Sequence, residues 1–189
     1  MAALSDILIL VVPLIIAVIV YLQICRTRSK PSVSTEHEES KQLSKLPIVT
    51  ITANEILLDK DMKLLGDGTK PALEMLSKHA CIFLFVMVDK QEEADALRQP
   101  LAKQFEGVID PEHILYTQKE LGRASMSRQL ESVAHFDYDP EVVHQTSIFF
   151  NTVLIAPPNV ESPHAKWKAS SFKDFITSGN TEFFDSIHH

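Results

Sequence analysis

The chain has 189 residues, a formal net charge of −7 and 45% hydrophobic residues. An acidic balance argues against nucleic-acid binding, which requires a basic face. Two cysteines are too few for a disulfide framework and indicate a reduced, intracellular protein.

The first feature along the chain is an uncharged apolar run over residues 7–25. As a helix rising about 1.5 Å per residue it would measure about 28 Å, close to the ~30 Å hydrocarbon thickness of a bilayer. The charges that flank this run are Asp6 before it and Arg26, Arg28 and Lys30 after it. Because basic residues favour the cytosolic side, we predict a single-pass membrane helix with residues 1–6 in the lumen and the rest of the chain in the cytosol. A cleaved signal peptide would carry its basic residues before the run.

Residues 26–45 are polar and show no apolar periodicity, so we predict a flexible cytosolic linker there. From residue 46 onward the pattern changes, and short apolar segments alternate with polar ones. We expect one α/β domain over residues 46–178 and a C-terminal tail over residues 179–189.

Within this domain, short apolar or β-branched runs predict strands at 47–53, 80–88, 114–117, 133–137 and 152–156. Amphipathic segments predict helices at 70–79, 90–105, 118–131, 140–150 and 170–177. Strands that alternate with helices are typical of βαβ units, so the predicted fold is a small Rossmann-like parallel-sheet sandwich of about five strands.

The sequence contains few signs of catalysis. Gly66 and Gly68 lack the spacing of a phosphate-binding loop and indicate a turn. The histidines are dispersed and no C-x-x-C pair exists, which argues against a metal site. Cys81 begins a buried strand, where a thiol is expected to be inert.

Asp137 and Asp139 are the sharpest candidates for chemistry, because they follow a strand at the sheet edge where α/β proteins bind ligands. A phosphatase of the haloacid dehalogenase type places magnesium-binding acids there. That enzyme also needs an aspartate nucleophile at the end of strand one, where this chain has no carboxylate before Glu55. A membrane-anchored phosphatase, or a catalytically dead phosphatase-like scaffold at another organelle, remains the alternative function.

Residues 108–140 read VIDPEHILYTQKELGRASMSRQLESVAHFDYDP. The segments ILYT, ELGRASMSRQLE and HFDYDPEV resemble the corresponding part of the peroxin twenty-two family, especially its plant-type members. The later segments APPNV and SFKDF resemble the ending of that family. The resemblance covers about residues 66–176 and does not extend to strand one or to the linker.

The resemblance implies a non-enzymatic adaptor in the membrane of the peroxisome, or of a specialised peroxisome such as a glycosome. Members of the family anchor a ubiquitin-conjugating enzyme, peroxin four, on the cytosolic face and enhance its activity. That enzyme ubiquitinates import receptors so that they can be recycled for matrix protein import. The expected partners are therefore this enzyme and the lipid bilayer, with no cofactor, no small-molecule substrate and no nucleic acid.

The predicted helix at 118–131 carries the candidate residues for partner binding, Arg123, Ser127 and Arg128. Its sheet-facing side is expected to contain Gly122, Ser125, Met126 and Leu130. Its solvent-facing side is expected to contain Arg123, Ser127 and Arg128. These side chains would either be solvated, contact a partner, or pin the acidic turn at Asp137 and Asp139.

Overall fold

The structure, a computed structural model, describes residues 46–188. The predicted membrane helix at 7–25, its flanking charges (Asp6, Arg26, Arg28 and Lys30) and the predicted linker at 26–45 lie outside these residues. Within 46–188, no helix has the length and apolar character needed to cross a membrane.

The centre of the domain is a parallel sheet with strand order β3-β2-β1-β4-β5-β6. The strands are β1 (Ile48–Thr52), β2 (Cys81–Met87), β3 (Ile114–Thr117), β4 (Ala134–Asp137), β5 (Asn151–Ile155) and β6 (Trp167–Ala169). β1 and β2 form because they are apolar and β-branched or aromatic, a composition that suits a pleated surface covered on both sides.

Within residues 46–188, six α-helices accompany the sheet: α1 (Thr69–Ser77), α2 (Gln91–Gln104), α3 (Glu120–Gln129), α4 (Pro140–Thr146), α5 (Phe172–Thr177) and α6 (Thr181–Ser186). A short 3₁₀ turn (Pro111–His113) precedes β3. α4 begins where the sequence favours it, because the Asp139 side chain accepts the Glu141 N–H and Pro140 occupies the first turn.

The two faces of the sheet differ in chemistry, as β4 shows. Phe136 lies on one face and packs edge-on against Phe172, Phe175 and Phe183 of α5 and α6, with ring centroids 5.4–5.5 Å apart. His135, its neighbour, lies on the opposite face towards α3, where it contacts Ser127. One face is therefore an aromatic core, and the other contains buried polar groups.

The predicted α/β class is confirmed, and each of the five predicted strands overlaps a strand of the structure. The sheet has six strands where about five were predicted, because β6 adds a strand at the sheet edge. The predicted tail at 179–189 also requires correction. Residues 181–186 form α6, and Phe183 and Ile187 are buried in the core, so the folded domain continues beyond residue 178.

Candidate functional site

The candidate site lies where the strand order reverses, between β1 and β4. In open parallel sheets, ligands bind outside the carboxyl ends of the strands at this switch point. Thr52 is the last residue of β1 and Asp137 is the last residue of β4. The predicted candidate Asp137 is therefore placed where a Rossmann-like protein would keep its functional groups.

The carboxylate of Asp137 is fully buried and is surrounded by groups of its own chain. Its Oδ2 accepts the Thr52 hydroxyl at 2.6 Å and faces His135 Nε2 at 3.1 Å. Its Oδ1 accepts the backbone N–H of Asp139 at 2.8 Å. The Nε of Arg123 lies 3.1 Å from Oδ2. Both oxygens are thus already occupied.

Arg123 of α3 is fully buried and joins this carboxylate to the turn that follows β4. Its second charge contact is from Nη2 to Asp139 Oδ2, at 3.5 Å. Its Nη1 donates to the Tyr138 hydroxyl at 3.2 Å, and its guanidinium lies 5.0 Å from the centre of that ring. Nε and Nη2 are not aligned for hydrogen bonds, so Arg123 attracts the two carboxylates mainly as a charge.

His135 connects the carboxylate to a second set of buried hydroxyls. Its Nδ1 lies 2.9 Å from Thr50 Oγ1 and 3.2 Å from Ser127 Oγ, and the two hydroxyl oxygens are 3.1 Å apart. Because Nε2 faces a carboxylate, we assign it the proton that it donates to Asp137. α3 is therefore fixed to β1 and β4 by a polar network, which we call the buried polar cluster: Thr50, Thr52, Arg123, Ser127, His135 and Asp137.

This arrangement corrects the predicted orientation of α3. Arg123 and Ser127 are buried rather than solvent-facing, whereas Ser125, predicted to pack on the sheet, is exposed. The helix is rotated because its polar inner side meets polar residues of the sheet instead of an apolar surface. The interpretation in which an arginine pins the acidic turn fits Arg123, and Arg128 alone of the three proposed contact residues is exposed.

No sequence motif identified Thr50, Thr52 and His135 as members of this cluster. A signal for them exists in the period of the strands. Polar side chains recur at every second position in β1 (Thr50, Thr52) and in β4 (His135, Asp137). Since residues i and i+2 of a strand share a face, this spacing indicates one polar face on two neighbouring strands.

The electrostatics of the cluster favour an ionised Asp137. Burial by itself would raise the pKa of the Asp137 carboxyl. The hydrogen bond and charge of His135, the charge of Arg123 and the Thr52 hydroxyl outweigh burial, so this pKa lies below its ordinary value. The cluster therefore stabilises the folded chain as long as Asp137 carries its charge.

The buried polar cluster does not fit the magnesium ion that a phosphatase of the dehalogenase type requires. Mg²⁺ needs exposed carboxylate oxygens and bound waters. Here the oxygens of Asp137 are occupied and neutralised by Arg123, and Thr52 stands at the end of β1 without a carboxylate. Among residues 46–188, no group of three His, Cys, Asp or Glu side chains is arranged to hold a metal ion.

Cys81, which was considered as a nucleophile, lies at the opposite end of its strand from the switch point. Its Sγ is 3.8 Å from His113 Nδ1, and the thiol is partly buried. Burial, followed by the nearby charge of Asp110, raises the pKa of this thiol. A raised pKa lowers the thiolate fraction, which agrees with the expectation of an unreactive cysteine.

The strand order 3-2-1-4-5-6 and the site at the switch point define a Rossmann-like, doubly wound α/β domain. One solved structure similar to this chain is that of a haloacid dehalogenase-like hydrolase from Burkholderia xenovorans LB400. It is 16% identical, with a TM-score of 0.46, and the match covers 67% of this chain and 63% of that one. No curated protein matches the chain.

The family model for "Peroxisome biogenesis protein 22, Haloacid dehydrogenase-like domain" matches residues 38–176. Because this match spans most of the chain, the protein belongs to the peroxisome biogenesis protein 22 family, and the predicted peroxin twenty-two resemblance is confirmed. Membership assigns it a role in peroxisome biogenesis.

Proposed function

We propose that this protein is a non-enzymatic adaptor of the peroxisomal membrane that recruits a ubiquitin-conjugating enzyme of the peroxin four type and enhances its activity. The recruited enzyme would ubiquitinate import receptors and so allow their recycling during matrix protein import. The proposal combines the family membership with the function that the peroxin twenty-two resemblance implies.

The observation that carries the proposal is the saturation of Asp137. At the position where an α/β enzyme keeps free functional groups, this carboxylate contacts Thr52, His135, Arg123 and the backbone of Asp139. A substrate or metal ion would have to displace a buried arginine and three hydrogen bonds, two of them fully buried, which is energetically costly. A role in binding another protein needs no such opening.

The predicted membrane helix at 7–25 gives this adaptor its effect. A tether restricts the bound enzyme to one membrane surface and raises its effective concentration towards receptors on the same membrane. In this proposal the helix crosses the peroxisomal, or glycosomal, membrane once. The domain then faces the cytosol through the predicted linker at 26–45.

The test is a binding measurement with the full chain in detergent micelles and the peroxin four-type enzyme of the same organism. We expect a one-to-one complex with a Kd in the micromolar range or tighter, and faster discharge of ubiquitin from the charged enzyme when the chain is present. Failure to form a complex at about 50 μM of each protein would contradict the proposal.

The alternative function, a phosphatase of the dehalogenase type, is examined with the same preparation. We expect no magnesium-dependent hydrolysis of p-nitrophenyl phosphate above the buffer rate. Hydrolysis that disappears in Asp139→Asn, which alters the more accessible carboxylate of the pair, would favour the enzyme over the adaptor.

A further inference from the structure

The outer side of α3 and the end of α4 form an exposed surface that is not part of the buried polar cluster. Leu121, Ala124, Ser125 and Arg128 recur at helical spacing along the outside of α3. A groove joins this helix to Gln145 and Phe149. Ile148 precedes Phe149 in the turn after α4. We call this surface the α3–α4 face; its members are Leu121, Ala124, Ser125, Arg128, Gln145, Ile148 and Phe149.

The α3–α4 face combines exposed apolar side chains with one positive charge, that of Arg128. Leu121 is 56% exposed, Ile148 76% and Phe149 52%, and they make up half of the large exposed hydrophobic residues among 46–188. The guanidinium of Arg128 lies over the Phe149 ring, 5.2 Å from its centre. Arginine and large aromatic residues are the side chains that most often dominate protein interfaces.

Among the arginines of residues 46–188, Arg128 is the one that has no carboxylate of these residues within 4.0 Å. Arg123 pairs with Asp137 and Asp139, and Arg98 pairs with Asp95. When a surface docks over Phe149, the neighbouring guanidinium loses water. Burying that charge without a counter-ion would be strongly unfavourable, so a complementary surface must supply an anion.

We infer that the α3–α4 face is the docking surface for the ubiquitin-conjugating enzyme, and that the enzyme presents a carboxylate to Arg128 beside an apolar side chain that covers Phe149. This inference rests on the proposed adaptor function and assigns that function to particular residues. The carboxylate meets the unpaired guanidinium, and the apolar side chain enters the groove between α3 and α4.

The charge of the domain favours a protein partner over a lipid surface. Residues 46–188 contain 13 lysines and arginines against 21 aspartates and glutamates, a net charge of −8. Anionic lipid would repel such a domain, and a single arginine is too little basic charge to overcome the repulsion. A protein contact needs only one carboxylate at one place.

The test compares variants of the full chain for binding to the peroxin four-type enzyme in detergent micelles. We expect Arg128→Glu to weaken binding at least about thirty-fold and Phe149→Ala about tenfold, the sizes typical of interface hot spots. The matched control is Arg98→Glu, because Arg98 is also exposed and also stacks on an aromatic ring, 5.3 Å from the centre of Tyr116, but lies on α2. That control should stay within about twofold of the unaltered chain.

A charge exchange tests the chemistry of the contact. Surface aspartates and glutamates of the enzyme are changed singly to lysine, and at least one such variant should restore binding to Arg128→Glu by about tenfold. If no variant does so, the carboxylate contact is refuted. Circular dichroism and Trp167 fluorescence should show that the exposed-residue variants fold as the unaltered chain does.

Several outcomes separate this inference from the adaptor function. If the unaltered chain binds the enzyme and both variants bind equally well, the α3–α4 face is not the docking surface, although the adaptor function stands. If no complex forms at all, the adaptor function fails and the inference fails with it. If the two variants lose enzyme binding only in lipid nanodiscs and not in detergent micelles, the α3–α4 face would be assigned to lipid contact. A monomeric Phe149→Ala protein, made from a dimeric chain without loss of enzyme binding, would assign it to self-association. Either of these two results would overturn the inference.

Discussion

Replacing Arg123 by methionine tests whether charge pairing or side-chain packing holds α3 on the sheet. Methionine is similar in length and apolar, so it can fill much of the space of the arginine stem. It removes the positive charge that faces Asp137 at 3.1 Å and Asp139 at 3.5 Å. The Asp137 carboxylate then keeps the Thr52 hydroxyl, His135 and a backbone N–H but loses the buried charge of the guanidinium.

The size of the effect follows from the burial of both partners. The side chains of Arg123 and Asp137 are both 0% exposed, so solvent does not screen the carboxylate that has lost its arginine. Removing one member of such a pair typically costs about 3–5 kcal/mol. With a urea dependence of about 2 kcal/mol per molar, the midpoint of unfolding should fall by about 1.5–2.5 M.

The assay is urea unfolding of the full chain, followed by fluorescence. Trp167 is the only tryptophan in the chain and packs against Phe183 with ring centroids 5.4 Å apart, so its emission reports the loss of the aromatic core. The double variant Arg123→Met, Asp137→Asn removes the stranded charge. It should therefore be about 1–2 kcal/mol more stable than Arg123→Met alone, as expected for coupled neighbours.

Two results would refute this reasoning. A loss below about 1 kcal/mol in Arg123→Met would show that the ion pair contributes little beyond packing. A double variant whose loss equals the sum of the two single losses would show that the two side chains do not act as a pair.

Three further predictions concern the same domain. Because the pKa of Asp137 lies below its ordinary value of 3.8, the unfolded chain takes up this proton first as the pH falls. The stabilisation is therefore present above the ordinary pKa of 3.8 and is lost as the pH falls through the lower folded-state pKa. Asp137→Asn should flatten the dependence of the unfolding free energy on pH in this acidic range, measured by urea unfolding at a series of pH values. Phe183→Ala should cost about 3–5 kcal/mol in urea unfolding, since its ring is fully buried among four aromatic side chains. Gly122→Ala should destabilise by about 1 kcal/mol in a thermal melt, instead of gaining the usual helix propensity, because its new methyl group would meet the Thr117 hydroxyl.

Most of the fold could be predicted from the sequence because most of its elements are locally encoded. The apolar run of β2 and the β-branched run of β1 predict buried strands without knowledge of their partners. β6 could not be predicted in this way. It is three residues long, half-exposed and alternates with a lysine, so its strand form depends on pairing with β5.

The orientation of α3 was predicted incorrectly for a related reason. Sequence rules place small and apolar residues against a sheet and arginines in water. They fail here because the covering surface of β1 and β4 is itself polar, which makes Arg123 and Ser127 the complementary residues. The period-two polar spacing of both strands could have indicated that surface, but only the contact between them shows that an arginine completes it.

The two arginines of α3 illustrate why its inner and outer sides can be studied separately. Arg123 and Arg128 are five residues apart, about 140° around a helix, so they point to different surroundings. Arg123 contacts two carboxylates inside the domain, whereas Arg128 contacts an exposed ring. A change at Arg128 leaves the buried polar cluster intact, so a loss of partner binding there reports on the surface and not on folding. A change at Arg123 alters the attachment of the helix that carries the α3–α4 face, so its effect on binding has meaning only after its effect on stability has been measured.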